Sequence, residues 1–170
     1  DTVLISLMLV NNETGAVTDL AGIAKVIKAA GSMALLHTDA VQGFLKIPFR
    51  ADKLGADLIS ISGHKIHAPK GIGALYVRQG VRLERLMQGG AQERTQRPGT
   101  ENLASIVGIG KAIEIATADI DGHNAQLSAI RDHMIDRILK EIPYSRLNGH
   151  PTKRLPGNVN VCFQFIEGEG

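Results

Sequence analysis

The sequence predicts an α/β fold built on a mainly parallel sheet. Three observations carry this. Val3 to Val10 is a nearly unbroken apolar run with β-branched members, the pattern of a strand buried on both faces, as parallel sheets require. Short runs of that kind alternate with stretches of helical period, which is the order of strand–helix–strand crossover units. The chain has 170 residues, 44% of them hydrophobic, enough for one domain with a real core or for pieces of two.

Each element has its own signal. The first strand ends at Asn11-Asn12-Glu13-Thr14-Gly15, whose amides and glycine suit a loop. Thr18 or Asp19 caps a helix from about Leu20 to Ala30, with Leu20, Ile23, Ala24 and Ile27 on one face and Gly31 closing it. Met33 to His37 is the second strand, Asp52 to Leu54 one helical turn, and Asp57 to Ser62 a third strand delivering Lys65. Ile72 to Arg78 returns antiparallel after the turn at Pro69-Lys70-Gly71. Val81 to Met87 reads as a short amphipathic turn, and Gln88 to Asn102 as a polar loop with two arginines and a threonine before a helix, chemistry that suits an anion as well as a solvated surface. From Leu103 the apolar period gives a long helix, with Gly108 and Gly110 allowing close packing.

Asp119 to Asn124 breaks the period and is placed as a boundary between residues 1–118 and 119–170. Beyond it Leu127, Ile130, Met134, Ile138, Leu139 and Ile142 form the stripe of another helix, with His123 and His133 on its solvent side. Ser145 to Asn148 is a short strand, Lys153 to Gly157 a turn, and Asn158 to Phe165 an alternating strand. Cys162 falls on the other face of that strand. With no cation or helix N-terminus adjacent in sequence, it reads as a structural, strand-packed thiol. The opening at full hydrophobic pitch and the unclosed end at Glu167-Gly168-Glu169-Gly170 give the expectation of a piece of a longer polypeptide.

Composition narrows the function. The formal charge is +2 without a long basic run, and aromatic residues are only 4%, so nucleic acid is not suggested. One cysteine cannot form an internal disulfide or a cysteine-based metal cluster, and no apolar run reaches membrane-spanning length. A cytoplasmic protein without a metal is the expectation.

The chemistry gathers at three strand ends. They carry Asn11 and Asn12, then Asp39 with Gln42, then Ser62, His64 and Lys65. Neighbouring strands lie about 4.8 Å apart, so adjacent strands would bring these groups to one rim, where open α/β sheets bind ligands. A lysine between a buried strand and a glycine-rich turn can be desolvated toward amine chemistry, although Ser60 to Lys65 alone also fits a solvated loop lysine. Asp39 alone fits a helix cap as well as a site carboxylate. Together, an acid, a lysine and hydroxyl or imidazole donors are what pyridoxal phosphate needs.

Four ordered motifs carry a more specific likeness: Asn11 to Gly15; His37 to Gln42; Ser60 to Lys65 with Pro69 to Gly73; and Gly89-Gly90 through Arg94 to Arg97-Pro98-Gly99-Thr100-Glu101-Asn102. With them the chain resembles the NifS-like cysteine desulfurases of the class V aminotransferase group. The resemblance implies a three-layer α/β/α, fold-type I large domain over residues 1–118 and the beginning of a small C-terminal domain over 119–170. It implies Lys65 as the Schiff-base lysine, with His64 beside it as the second catalytic position, and Asp39 as partner of the pyridinium nitrogen. Asn12 and Gln42 would approach the ring's phenolic oxygen, Ser62 and His64 the phosphate, and Thr100 the phosphate of a neighbouring subunit's cofactor. The implied partners are L-cysteine as substrate of the parent enzyme, a second copy in a homodimer, and a sulfur acceptor or scaffold protein. Parts of the family pattern have no counterpart in this sequence, among them the ring-stacking histidine, the carboxylate-binding arginine and the cysteine that takes the sulfur. The piece by itself is therefore expected to be inactive. Two other readings stand beside this one: a selenocysteine lyase-like or aminotransferase-like relative, and a self-associating truncation. The Arg97 to Asn102 run favours the NifS-like side.

Overall fold

The computed structural model describes residues 1–168; Glu169 and Gly170, the last residues of the expected unclosed end, lie outside the described residues. In chain order the elements are β1 (Leu4–Met8), α1 (Leu20–Ala29), β2 (Leu35–Asp39), α2 (Ala51–Leu54), β3 (Leu58–Ser62), β4 (Gly73–Val77), α3 (Leu103–Thr117), α4 (Ile120–Glu141), β5 (Ser145–Leu147) and β6 (Val161–Phe163). The first four strands form one sheet in the order β1-β2-β3-β4, and β5 pairs with β6 in a second. β1, β2 and β3 are mutually parallel, with Met8 opposite Asp39 and Asp39 opposite Ser60, while β4 returns antiparallel to β3. The three polar strand ends thus share one edge of the sheet.

Side-chain alternation divides the two faces. Leu9, Leu36 and Ile59 are buried with Leu20 of α1 and with Val10, Ala40, Ala56 and Leu155, and Ile5, Leu7, Ala24, Ile27, Leu54 and Ile61 pack around them. Leu9 and Leu20 are each 1% exposed, so truncating either to alanine costs about 2–5 kcal/mol. The other face presents Ser6, His37 and Ser60. Here the expectation that the first strand is buried on both faces fails: Leu4 is 48% exposed, because β1 is an outer strand and no described element covers this side.

Local signals account for the helix ends. Asp19 accepts from the Gly22 amide and caps α1; Asn102 accepts from the Ser105 amide and caps α3. Asp57 staples the opposite end of the sheet, accepting from the Leu36 amide at 2.7 Å and from Arg78 at 2.6 Å.

Five expectations need correction. Val81 to Met87 is irregular, since its apolar residues find no face to cover and Leu86 is 96% exposed. α4 starts at Ile120, several residues before the stripe begins, because Asp119 caps it through the Gly122 amide. Much of that stripe stays exposed: the residue of α4 that is buried is Ile135, one position from the exposed Met134. Gly108 does allow close approach, with Pro69 2.8 Å from where a Cβ would stand, whereas Gly110 faces open space. The final strand is shortened to Val161–Phe163, because Asn158 and Asn160 turn their amides onto another part of the chain.

Candidate functional site

The site starts from how each strand ends. After β3 the chain makes a single tight turn, Gly63–Ile66, closed by His67 in the left-handed region (φ 65°) and by the Ala68 amide donating to the Gly63 carbonyl. Gly63 is required there, since a Cβ would stand 2.8 Å from Ile72. This turn sets Lys65 half-buried on the rim while His64 stays exposed. Ser62 Oγ and His64 Nδ1 lie 2.7 Å apart, so the serine and imidazole already act as one polar group. Lys65 forms no salt bridge among the described residues.

Asp39 ends β2. Its Oδ1 accepts from the Val41 amide at 2.9 Å, which fixes the carboxylate, and Oδ2 has no partner among the described residues. It is therefore a local cap and an available carboxylate at once. Gln42 follows in a run of turns closed by the Gly43 and Phe44 amides on the Ala40 carbonyl. After β1, Asn11 Oδ1 accepts from the Glu13 amide (3.0 Å), the Thr14 amide (2.8 Å) and the Thr14 hydroxyl (3.0 Å). This organises the loop and leaves the adjoining Asn12 exposed, with no side-chain hydrogen bond among the described residues.

Asn12, Asp39, Gln42, Ser62, His64 and Lys65 all follow or end the three adjacent parallel strands. Thr100 is different. It is exposed, two residues before the cap of α3, and has no hydrogen bond to Asp39, Ser62 or Lys65. What links its region to the rim is α3 itself, where Gly108 packs against Pro69, just beyond the lysine turn.

Three features of the region carry no sequence signal strong enough to find them. Lys46 shares the Lys65 environment: its amine is held below its ordinary value, first by burial and then by the Lys65 ammonium. His37 bridges three strands, with Nδ1 2.7 Å from Ser6 Oγ and Nε2 2.8 Å from Ser60 Oγ. Its position two residues before Asp39, on the same strand face, was the available hint. Arg154, in what reads as a surface turn, is instead 4% exposed.

Cys162 also departs from expectation. It is exposed, and β5 with the residue after it supplies the partners that sequence neighbours do not: the Asn148 side chain, hydrogen-bonded to Sγ, lowers the thiol's pKa, and Arg146 adds to the effect. His123 and His133 lie on the solvent side of α4, as expected. No helix among the described residues is long and apolar enough to cross a membrane.

Comparison with known proteins adds an independent view. Residues 1–169 match the family model described as Aminotransferase class-V. The chain is 51% identical over 169 residues to the cysteine desulfurase IscS of Methanosarcina thermophila, covering 99% of this chain and 41% of that protein. To the cysteine desulfurase of Gluconacetobacter diazotrophicus it is 49% identical over 168 residues, covering 99% of this chain and 42% of that one. A solved NifS-like protein superposes with a TM-score of 0.91 at 35% identity, over 99% of this chain and 46% of its own. The chain thus spans about two fifths of the length of the curated relatives it matches.

Proposed function

The chain belongs to the aminotransferase class-V family, and from that membership we propose that it is the lysine-bearing part of a pyridoxal phosphate-dependent cysteine desulfurase. Its fold is the fold-type I arrangement of NifS-like proteins. The observation that carries the proposal is the shared edge of β1, β2 and β3, after which come Asn12, Asp39 and Lys65.

The donor set fits the cofactor. Asp39 has one oxygen fixed by Val41 and one available to accept from a protonated ring nitrogen. The joined Ser62 and His64 would offer a phosphate the donor that their mutual hydrogen bond leaves free, and Lys46 would add positive charge near the same anion. Asn12 and Gln42 are amides suited to a phenolic oxygen. When bound, pyridoxal phosphate supplies an electron sink for the substrate's α-carbon. The chain's part is to orient and to move protons. Asp39 would keep the ring nitrogen cationic, and Lys65 Nζ would hold the cofactor and serve as the base that moves a proton at the substrate carbon. Half-burial of Lys65 limits its competing contact with water.

In the whole protein the proposed substrate is L-cysteine. An enzyme thiolate would attack the substrate sulfur, forming the S–S bond of a persulfide as the Cβ–S bond breaks; the bond's electron pair stays with the carbon, which takes up a proton and leaves as alanine. We do not assign that thiolate to Cys162, which lies on β6 and not on the rim. The same reading makes the protein a cytoplasmic homodimer, with Thr100 serving the partner's phosphate and a sulfur acceptor or scaffold protein downstream. Residues 1–118 are read as the cofactor-binding part and 119–170 as the start of a small domain, a division supported by the break between α3 and α4.

The test is a titration of the chain with pyridoxal phosphate, followed by borohydride and peptide mapping. A new visible absorption band and label fixed on Lys65, both lost in Lys65→Ala, are expected. No band, or an identical band in Lys65→Ala, overturns the cofactor reading.

A further inference from the structure

A buried cation lies where the segment after β5 crosses the loop after β1. Arg154 is buried, yet it has no carboxylate in salt-bridge range among the described residues. Its guanidinium is instead spent on oxygens of the backbone and one amide. Nη2 donates to the Thr14 carbonyl at 3.1 Å and to Asn158 Oδ1 at 3.2 Å; Nη1 donates to the carbonyls of Asn148 and His150, both at 3.2 Å; Nε donates to the Asn158 carbonyl at 3.3 Å. Burial is the main influence lowering its pKa, and Arg131 of α4 adds to it.

The contacts converge on one short loop. Asn158 and Asn160 each donate to the Glu13 carbonyl at 3.0 Å, Arg154 holds the Thr14 carbonyl, and the Leu155 amide donates to the Gly15 carbonyl at 2.9 Å. Three consecutive carbonyls after Asn12 are thus gripped by residues 154–160. Ala16 and Arg154 form a β-bridge, the Val17 amide donates to the Lys153 carbonyl, and Leu155 enters the core beside Leu9 and Val10. Burying a cation is costly, and a hydrophobic side chain of similar size would pack without that cost. What a hydrophobe cannot do is bind the loop's outward carbonyls and the strap's own carbonyls with one planar fork.

We propose that Arg154 is a positioning residue for Asn12, clamping the Asn11 to Gly15 loop from the C-terminal segment so that the Asn12 amide stands ready at the strand-end rim. Arg154 touches no reacting group; it acts through Thr14 and Asn158. The functional meaning of a placed Asn12 rests on the pyridoxal phosphate reading, but the clamp itself does not. A second consequence is that movement of residues 148–160 is transmitted to the cofactor rim through this grip.

The experiment compares wild type, Arg154→Met, Arg154→Lys and Asn158→Ala by residue-resolved hydrogen exchange, with pyridoxal phosphate titration of the same samples. In R154M the Glu13, Thr14 and Val17 amides are expected to exchange about tenfold faster, while amides at the sheet such as those of Leu36 and Ala40 keep their protection. The pyridoxal phosphate Kd rises about tenfold with label still fixed on Lys65, and R154K recovers part of both effects. N158A, which leaves no buried charge unpaired by a large change, shows the same local pattern more weakly. Unchanged loop exchange in both R154M and N158A overturns the clamp. A uniform rise across the sheet in both variants overturns it too, since Arg154 then only holds the fold together. A loosened loop with unchanged Kd overturns the link to Asn12. If wild type binds no pyridoxal phosphate, the cofactor reading alone fails, and the exchange pattern still decides the clamp.

Discussion

Two loops of this chain carry the same kind of sequence, polar and glycine-bearing, and they fold in opposite ways. Asn11 to Gly15 is organised from inside by Asn11 and gripped from outside by Arg154, Leu155, Asn158 and Asn160. Gln88 to Thr100 is mostly exposed and is held by local bonds alone: the Thr95 and Gln96 amides donate to the Ala91 and Glu93 carbonyls at 3.1 Å, Gly99 donates to Gln92 at 3.2 Å, and Arg85 to the Gly89 carbonyl at 3.4 Å. It also places three consecutive non-glycine residues at positive φ, Glu93 (48°), Arg94 (56°) and Thr95 (71°). Such backbone costs roughly 1–2 kcal/mol per residue. The comparison teaches that loop chemistry and loop order are separate properties. A loop's donors are written in its own residues, but its rigidity comes from whatever distant segment satisfies its carbonyls.

The comparison can be broken most severely at the strap's anchor. Leu155→Ala removes a side chain that is 8% exposed in the core beside Leu9, and should cost about 2–5 kcal/mol in a urea unfolding curve. A cost below about 1 kcal/mol would mean that the strap is not anchored through the core. The next contrast is between glycines. Gly15 sits at φ 72° with Asn158 2.5 Å from where a Cβ would stand, so Gly15→Ala strains the backbone and pushes the strap away, costing about 2–3 kcal/mol. Gly99 also has positive φ, 106°, but its nearest neighbour is the flexible tip of Arg97, and Gly99→Ala should cost about 1–2 kcal/mol, the backbone strain alone. Equal losses of thermal stability in the two variants would erase the distinction between a clamped and an unclamped loop.

The smallest expected effect is a shift in pH dependence at the far end of the same strap. The carbonyl of Asn148 is bound by Arg154, and its side chain by Cys162. Because the Asn148 hydrogen bond lowers the Cys162 pKa, the thiolate should form at lower pH than an ordinary cysteine's. The pH midpoint of iodoacetamide alkylation should accordingly fall below the usual thiol value and move up in Asn148→Ala. No upward movement would remove Asn148 as its cause.

Much of this was legible in the sequence, and the reasons are local. The strand ends are announced by their own residues: Asp39 after an apolar run, Lys65 between serines and a glycine turn, Asn11 and Asn12 before Gly15. Helix caps at Asp19 and Asn102 follow from side chains that reach amides three residues on. What was hidden depends on long-range closure. Nothing near Arg154 says that it meets Thr14, 140 positions away. Cys162 likewise has no cation in its sequence neighbourhood, and only the pairing of β5 with β6 brings Arg146 opposite it. The exposed stripe of α4 and the open face of β1 failed for the complementary reason, since periodicity states which residues share a face but not whether anything covers it.

The central claim is that the rim formed by Asn12, Asp39 and Lys65 holds pyridoxal phosphate, and the most direct measurement is borohydride fixation of the cofactor followed by peptide mapping. Label on Lys65 in the wild type, lost in Lys65→Ala and strongly weakened in Asp39→Ala, is the predicted result. Label spread over exposed lysines such as Lys70, or unchanged in Asp39→Ala, would contradict it.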